Sequence, residues 1–325
     1  MKAVRTFSFL AVFLIVGIAF IFFQFQEEEK KIQLEEFAKS QVLLPNSISD
    51  EVNYLSFDRP GNPAIVVKKS GQTWNIVAPV KTQADQMVMK GIIAGLRFGK
   101  KEESFETEES AESYGFKSPA MRLIVGTSKS SKKATLVLGN KAPLKNFYYA
   151  KWDGGAQVFL ISSDLWKAFD RNLLSLRRRL IFNFDPEEIR GFQISFAGKV
   201  FDILRQDGAW VFAKNSGYEG KPVEPALVDA YIEILRSTVA GEFLDGKDWR
   251  DDRWGIKFKQ NYVNVYFKKG KPQILYLGYP ARELNGTYVH MDKIFDLALV
   301  HSKLAKRLES GPESFIKSDQ VIIEK

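Results

Sequence analysis

Alternation of apolar and polar positions divides the chain into short strands, helices with four-residue apolar spacing, and one unbroken apolar run. That run comes first, from Phe7 to Phe23. At about 1.5 Å per residue it reaches roughly 26 Å, close to the hydrocarbon thickness of a bilayer once Gln24 and Phe25 extend it. It ends in Phe-Phe-Gln-Phe-Gln-Glu-Glu-Glu, without the small-x-small site of a cleaved signal peptide. The pattern therefore predicts an uncleaved transmembrane helix in contact with lipid over residues 7–25. Lys2 and Arg5 precede it and Glu27-Glu28-Glu29 follow, which leaves the N-terminus in the cytoplasm and everything after residue 26 outside. In a bacterium this describes a single-pass inner-membrane protein with its bulk in the periplasm.

Residues 27–48 read as a charged stalk helix, with Glu27 and Lys31 at i,i+4 spacing, a thin apolar stripe of Ile32, Leu34 and Phe37, and a stop at Pro45. Leu34 and Phe37 are candidates for a seam with another membrane protein's helix; the competing reading packs them on the first domain of the same chain. Beyond the stalk, Ala64 to Val67 and Thr73 to Val77 flank Ser70-Gly71 as a hairpin, and Asp85 caps a helix through Val88, Ile92 and Leu96. The charged run from Lys100 to Glu112 is a connection with a short strand around Phe105. Four strand-like runs follow, at 121–125, 134–138, 147–150 and 158–161, and Ser162-Ser163-Asp164 then opens a helix through Leu165, Phe169 and Leu173.

This plan is written twice. Leu136-Val137-Leu138-Gly139 and Phe147-Tyr148-Tyr149 return as Leu275-Tyr276-Leu277-Gly278 and Thr287-Tyr288-Val289, both at a step of 139 (278 − 139 = 139) that also carries Asn146 to Asn285. The helix repeats at the same step: Asp85, Ile93, Leu96 and Arg97 become Glu224, Ile232, Leu235 and Arg236, with Pro225 at the first turn. Tyr114-Gly115-Phe116 is answered by Trp254-Gly255-Ile256. The period is far too long for a solenoid, so the expected fold class is α+β: an N-terminal transmembrane helix, then two tandem duplicated domains, each a mostly antiparallel sheet with packed helices. The expected division is anchor 1–26, stalk 27–48, first domain 49–184, second domain 185–309 and tail 310–325. Ile294 to Leu297 is left open as last strand or start of the final helix.

Composition adds limits. With 45% hydrophobic and 26% charged residues in a 325-residue chain, both domains can bury real cores. The net charge of +8 falls to +6 when Lys2 and Arg5 are set aside (8 − 2), and the charges are interspersed, which argues against nucleic-acid binding. There is no cysteine, so disulfides, thiolate metal sites and cysteine nucleophiles are excluded.

No motif supplies chemistry. The stretch Gly95 to Lys101 lacks phosphate-loop spacing, no dinucleotide-binding glycine pattern follows a strand, and no Gly-x-Ser-x-Gly elbow occurs. Only His290 and His301 could serve as a catalytic imidazole or a metal ligand, and neither has a supporting constellation. The acidic run Asp245 to Asp252 lacks the ligand spacing of a calcium loop. No enzyme and no cofactor is expected. Two features remain as interaction candidates. Arg177, Arg178 and Arg179 either grip an acidic partner or lipid phosphates, or finish a helix where cations suit the dipole. Trp249 and Trp254 either form a sugar-stacking platform or belong to the core.

The residues Trp74, Pro79, Ala84-Asp85, Leu96, Tyr114-Gly115-Phe116, Pro119, Leu136 to Gly139 and Phe147 to Ala150 resemble the bacterial family called domain of unknown function 4340. The second domain is similar through Trp210, Trp254-Gly255-Ile256, Leu277-Gly278 and Thr287-Tyr288-Val289, but lacks the Ala-Asp pair and the proline after Gly255. The resemblance covers most of residues 52 to 308. It implies a membrane-anchored extracytoplasmic component associated with ABC transport systems of the gliding-motility type, and it carries no catalytic residue. Together these readings predict a periplasmic scaffold or accessory subunit whose partners are the permease and auxiliary subunits of an inner-membrane ABC transporter. The alternative is a cell-envelope glycan or lipid-binding module using Trp249, Trp254 and the basic surface.

Overall fold

The structure is a computed structural model, and it describes residues 24, 27–28, 30–31, 41–45, 48, 51–106, 112–127, 133–144, 146–214 and 216–317. The expected span over 7–25, apart from Gln24, lies outside the described residues, as do Leu34, Phe37 and residues 318–325. Among the described residues, no helix is long and apolar enough to cross a membrane.

The chain divides into two compact units between Asn172 and Leu173. In the first, β1 (Val52–Asp58), β2 (Ile65–Ser70), β3 (Thr73–Ala78) and β4 (Thr82–Gln83) lead into helix α1 (Gln86–Phe98). After it come β5 (Ser104–Glu106), β6 (Met121–Thr127), β7 (Lys133–Lys141), β8 (Phe147–Trp152), β9 (Gln157–Ser162) and α2 (Ser163–Phe169). The strands form one sheet in the order β4-β3-β2-β1-β6-β7-β8-β9-β5, with antiparallel pairings. The second unit opens with α3 (Leu173–Leu176). It continues through β10 (Ile189–Phe196), β11 (Lys199–Gln206), β12 (Ala209–Phe212), α4 (Pro225–Ser237), β13 (Ala240–Phe243), β14 (Tyr262–Phe267), β15 (Gln273–Ala281), β16 (Gly286–Met291), β17 (Phe295–His301) and α5 (Ser302–Leu308). Its sheet runs β12-β11-β10-β14-β15-β16-β17-β13, the same order. The two-stranded extension β3–β4 survives there as a single bridge, Val211 to Pro222. The α+β reading holds for both units.

The step of 139 is visible in the elements themselves: α1 and α4, β8 and β16, and α2 and α5 correspond end to end. Ile294 is a loop residue, and the last strand begins at Phe295. Local chemistry explains the agreement. Asp85 caps α1, its carboxylate accepting from Met87 N and Val88 N, and Met89, Ile92 and Leu96 give the helix a buried face. Each such side chain contributes about 1.5–3 kcal/mol by leaving water. Glu224 makes no side-chain cap to α4; Pro225 at the first turn presets φ instead. Asn146 and Asn285 both adopt left-handed φ, 71° and 49°, and their carbonyls accept from Ser163 N and Ser302 N at 2.7 and 3.0 Å. That tie holds the first residue of each unit's last α-helix to the turn that opens β8 or β16.

The Leu-Gly pair is a β-bulge. Register slips between Leu138 and Lys141 in β7 and between Leu277 and Pro280 in β15. Into each bulge comes the Tyr-Gly or Trp-Gly connection: Tyr114 O accepts from Asn140 N at 2.8 Å, and a Cβ on Gly139 would stand 2.1 Å from that oxygen. A Cβ on Gly278 would stand 2.1 Å from Trp254 O. Glycine is required at both places because a backbone carbonyl occupies the space of a side chain.

The boundaries differ from the pattern-based division. The segment 41–43 bonds the end of α1 through Lys101 N to Gln41 O and Leu43 N to Gly99 O, at 2.7 and 2.9 Å. The same ladder recurs as Ala240 N to Arg179 O and Ile181 N to Thr238 O. Residues 179–184 therefore belong to the second unit instead of closing the first, and 41–45 and Ile48 belong to the first unit, with Leu43 and Ile48 buried. The expected single helix over 162–173 is broken, with Asp170 to Asn172 outside it and α3 starting afresh. Beyond the repeat, Phe315 is 1% exposed and its ring centroid lies 5.3–5.9 Å from those of Phe192, Phe201 and Tyr231 in the second core. Tyr231, also buried, donates to Leu308 O at 2.9 Å, and burial pushes its phenol well above the usual tyrosine value.

Candidate interaction surface

The arginine run and the acidic tryptophan loop, separate candidates in the sequence, meet in the second unit. Arg177 is 5% exposed; its Nη1 donates to both carboxylate oxygens of Asp245 at 2.7 and 3.0 Å, and its guanidinium lies 3.5 Å from the ring centroid of Phe243. Arg179 Nε donates to Ala240 O at 2.8 Å, while Arg178 is half-buried. Arg177 is thus a fastener that ties the start of the 245–254 loop to its own domain.

The tryptophans complete the fastening. Trp249 is 6% exposed and stacks on His290 at 4.1 Å between ring centroids, with Phe258 edge-on and the Arg250 guanidinium 4.6 Å from the indole centroid. Trp254 is half-buried; its Nε1 donates to Asp248 O at 3.0 Å and its ring contacts Tyr288. With Ile256, Tyr276 and Leu297 they form a cluster. Its counterpart in the first unit is Tyr114, Phe116, Val137 and Val158. Shared placement explains Trp254, while Trp249 and His290 enlarge the second cluster. His290 offers Nδ1 to Asp296 O and Nε2 to Asp292 Oδ1, at 2.7 and 3.0 Å, so both ring nitrogens are engaged. Arg253 grips Asp251 and, with its backbone N–H, holds that carboxyl below its ordinary value. Among the described residues, no group of three or more potential ligands could hold a metal ion.

Each unit also has a groove where its central helix borders a strand hairpin. In the first unit a groove of about 570 Å³ runs between α1 and β2–β3, lined by Lys69, Trp74, Gln86, Lys90, Ile93 and Arg97. The Gln86 amide builds its floor: Oε1 accepts from Trp74 N at 2.9 Å, and Nε2 donates to Trp74 O at 3.0 Å and Ala84 O at 2.7 Å. Lys69 pairs with Glu51, and Lys90 and Arg97 extend from exposed positions on α1. In the second unit the corresponding groove is smaller, about 390 Å³, and its lining includes Glu187, Arg205, Trp210, Pro225, Asp229 and Glu233. Aspartate stands where the first groove has Lys90 and glutamate where it has Ala94. The matched tryptophans lie in both, Trp74 buried and Trp210 half-buried. Pattern reading missed these faces because it aligned the helices on the positions they share, Asp85, Ile93, Leu96 and Arg97 with Glu224, Ile232, Leu235 and Arg236; comparing Lys90 with Asp229 and Ala94 with Glu233 would have shown the contrast.

No curated protein and no solved structure matches this chain. The family described as Domain of unknown function (DUF4340) matches residues 74–253, from Trp74 in β3 to Arg253 beside Trp254 in the second unit. The helix α1, the bulge at Gly139 and the second unit through β13 fall inside that match, which spans more than half of the 325 residues, and the chain belongs to the DUF4340 family.

Proposed function

We propose that the chain is a membrane-anchored periplasmic scaffold or accessory subunit of an ABC-type transporter complex, acting by binding and not by catalysis. One observation carries the proposal: the two units keep a common framework down to its bulge and turn residues, while the helical faces and grooves they turn outward differ in charge and size. A framework repeated with unlike outward faces suits a protein that presents two different contacts from one chain. The apolar run over 7–25, flanked by Lys2 and Arg5 on one side and three glutamates on the other, supports the anchor and its orientation. The transporter as partner rests on the family resemblance. Purification of the tagged full chain from its native membranes in mild detergent tests the proposal. Co-elution of permease and auxiliary subunits is the expected outcome, and recovery without any transporter subunit would remove it.

A further inference from the structure

The difference between the two outward helical faces is systematic. α1 exposes Met87, Lys90, Gly91, Ala94, Arg97 and Phe98 along one stripe, and at the step of 139 α4 exposes Ala226, Asp229, Ala230, Glu233, Arg236 and Ser237. Met87 is 73% and Phe98 78% exposed, and where they protrude from α1 the other helix carries alanine and serine. Lys90 faces the opposite sign at its counterpart Asp229, and neutral Ala94 becomes Glu233. One stripe carries two cations and two apolar knobs; the other carries two carboxylates and, at the position of Arg97, the arginine Arg236, with small residues where the knobs stand. Packing of the framework does not demand this, because it uses the buried faces, Met89, Ile92 and Leu96 in one helix and Val228, Ile232 and Leu235 in the other. Among the described residues, Lys90 and Arg97 form no ion pair.

We infer that the α1 stripe of one copy docks against the α4 stripe of a second copy. The acidic, small-residue face that complements α1 in charge and relief is present on this chain in equal number, which favours a second copy over an unrelated acidic partner. Laid antiparallel with Lys90 opposite Glu233, the helices bring Ala94 opposite Asp229 and Arg97 opposite Ala226. Arg97 then reaches back one turn to Asp229, and Phe98 covers Ala226 and Pro225. Gly91, Ala94 and Ala230 permit the helices a close approach. The existing Glu233–Arg236 contact is an exposed i,i+3 pair at 2.7 Å, and Glu233 can leave it for Lys90 at little cost. Because the two stripes are unlike, each copy offers one of each, and the contact is heterologous.

The chain contains no cysteine, so introduced thiols report the contact without background. Full-length Lys90→Cys and Glu233→Cys chains, each purified in mild detergent, are mixed and oxidised. A covalent pair containing one chain of each kind should form several-fold more than either variant forms alone. Sedimentation of the unmodified chain should show concentration-dependent self-association, weakened by about tenfold when Lys90→Glu and Arg97→Glu are combined. Adding Asp229→Lys and Glu233→Lys to that same chain should restore it. All four positions are exposed, so the fold should survive, and an unchanged near-ultraviolet circular dichroism spectrum checks this. The inference is overturned by equal cross-linking in the mixture and the single variants, by a sedimentation coefficient independent of concentration, or by failure of the fourfold charge exchange to restore pairing. It is also overturned if a chain carrying both cysteines closes on itself as a monomer.

Discussion

The first and second units carry the same bulge, the same left-handed asparagine and the same helix-end ladder, yet they secure these features differently. The first has local devices at its helix start, the Asp85 cap and the Gln86 clamp on Trp74, beside two distant ties, Arg59 Nη1 to Arg171 O and Trp152 Nε1 to Leu43 O. The second has neither the cap nor the clamp. It draws on distant residues, with Arg177 reaching Asp245, Trp249 stacking on His290, and Phe315 entering the core from beyond the repeat. The comparison separates what the shared fold needs from what each copy added. Backbone approaches that no side chain can share were kept, and caps, loop fasteners and outward charges drifted.

The sharpest way to test the shared part is to place a methyl group in each bulge. Gly139→Ala and Gly278→Ala each push a Cβ against a backbone oxygen, and each should cost its own unit about 3 kcal/mol or more. Chemical denaturation should show one transition shifted and the other unchanged, with the roles exchanged between the variants. Equal shifts of both transitions in either variant would break the picture of two separately closed units. Next in size is the loop fastener. Asp245→Ala leaves the Arg177 charge buried and unpaired, and should cost the second unit about 2–3 kcal/mol. The Trp249 region should then become accessible to amide hydrogen exchange; protection as in the parent chain would show that the ion pair does not hold the loop. The smallest effect contrasts the two helix starts. Asp85→Ala should cost the first unit about 1 kcal/mol, while Glu224→Ala should be close to neutral because that side chain makes no cap.

Much of this framework could be read from the chain before any coordinates. The recurrence of Leu-Gly, of the aromatic-glycine connection and of Asn146 at Asn285 specified register, because each marks a backbone conformation few residues tolerate. The hairpin at Ser70-Gly71, the cap at Asp85 and the final helix after Ser162 followed from local preferences in the same way. Long-range pairing escaped the pattern. Arg177 and Asp245 lie 68 positions apart, and no periodicity links a cation in one connection to a carboxylate in another. The meeting of the units at Asn172 and Leu173 was hidden for a related reason: Arg179 and Ile181 read as the end of the first domain's last helix until their hydrogen bonds to Ala240 and Thr238 are seen. Pattern left Trp249 open between a platform and the core because its cover, His290, comes from a strand 41 residues onward (290 − 249).

Phe315 gives the second unit a finish time. Every strand and helix of the first unit has been made once Phe169 is in place, so that unit can close while the ribosome is still translating its twin. The second cannot seal its aromatic centre until the stretch beyond Leu308 has been synthesised. During that interval Phe192, Phe201 and Tyr231 lack one wall. A holding factor or a protease that samples nascent chains would therefore meet the second unit open and the first already shut.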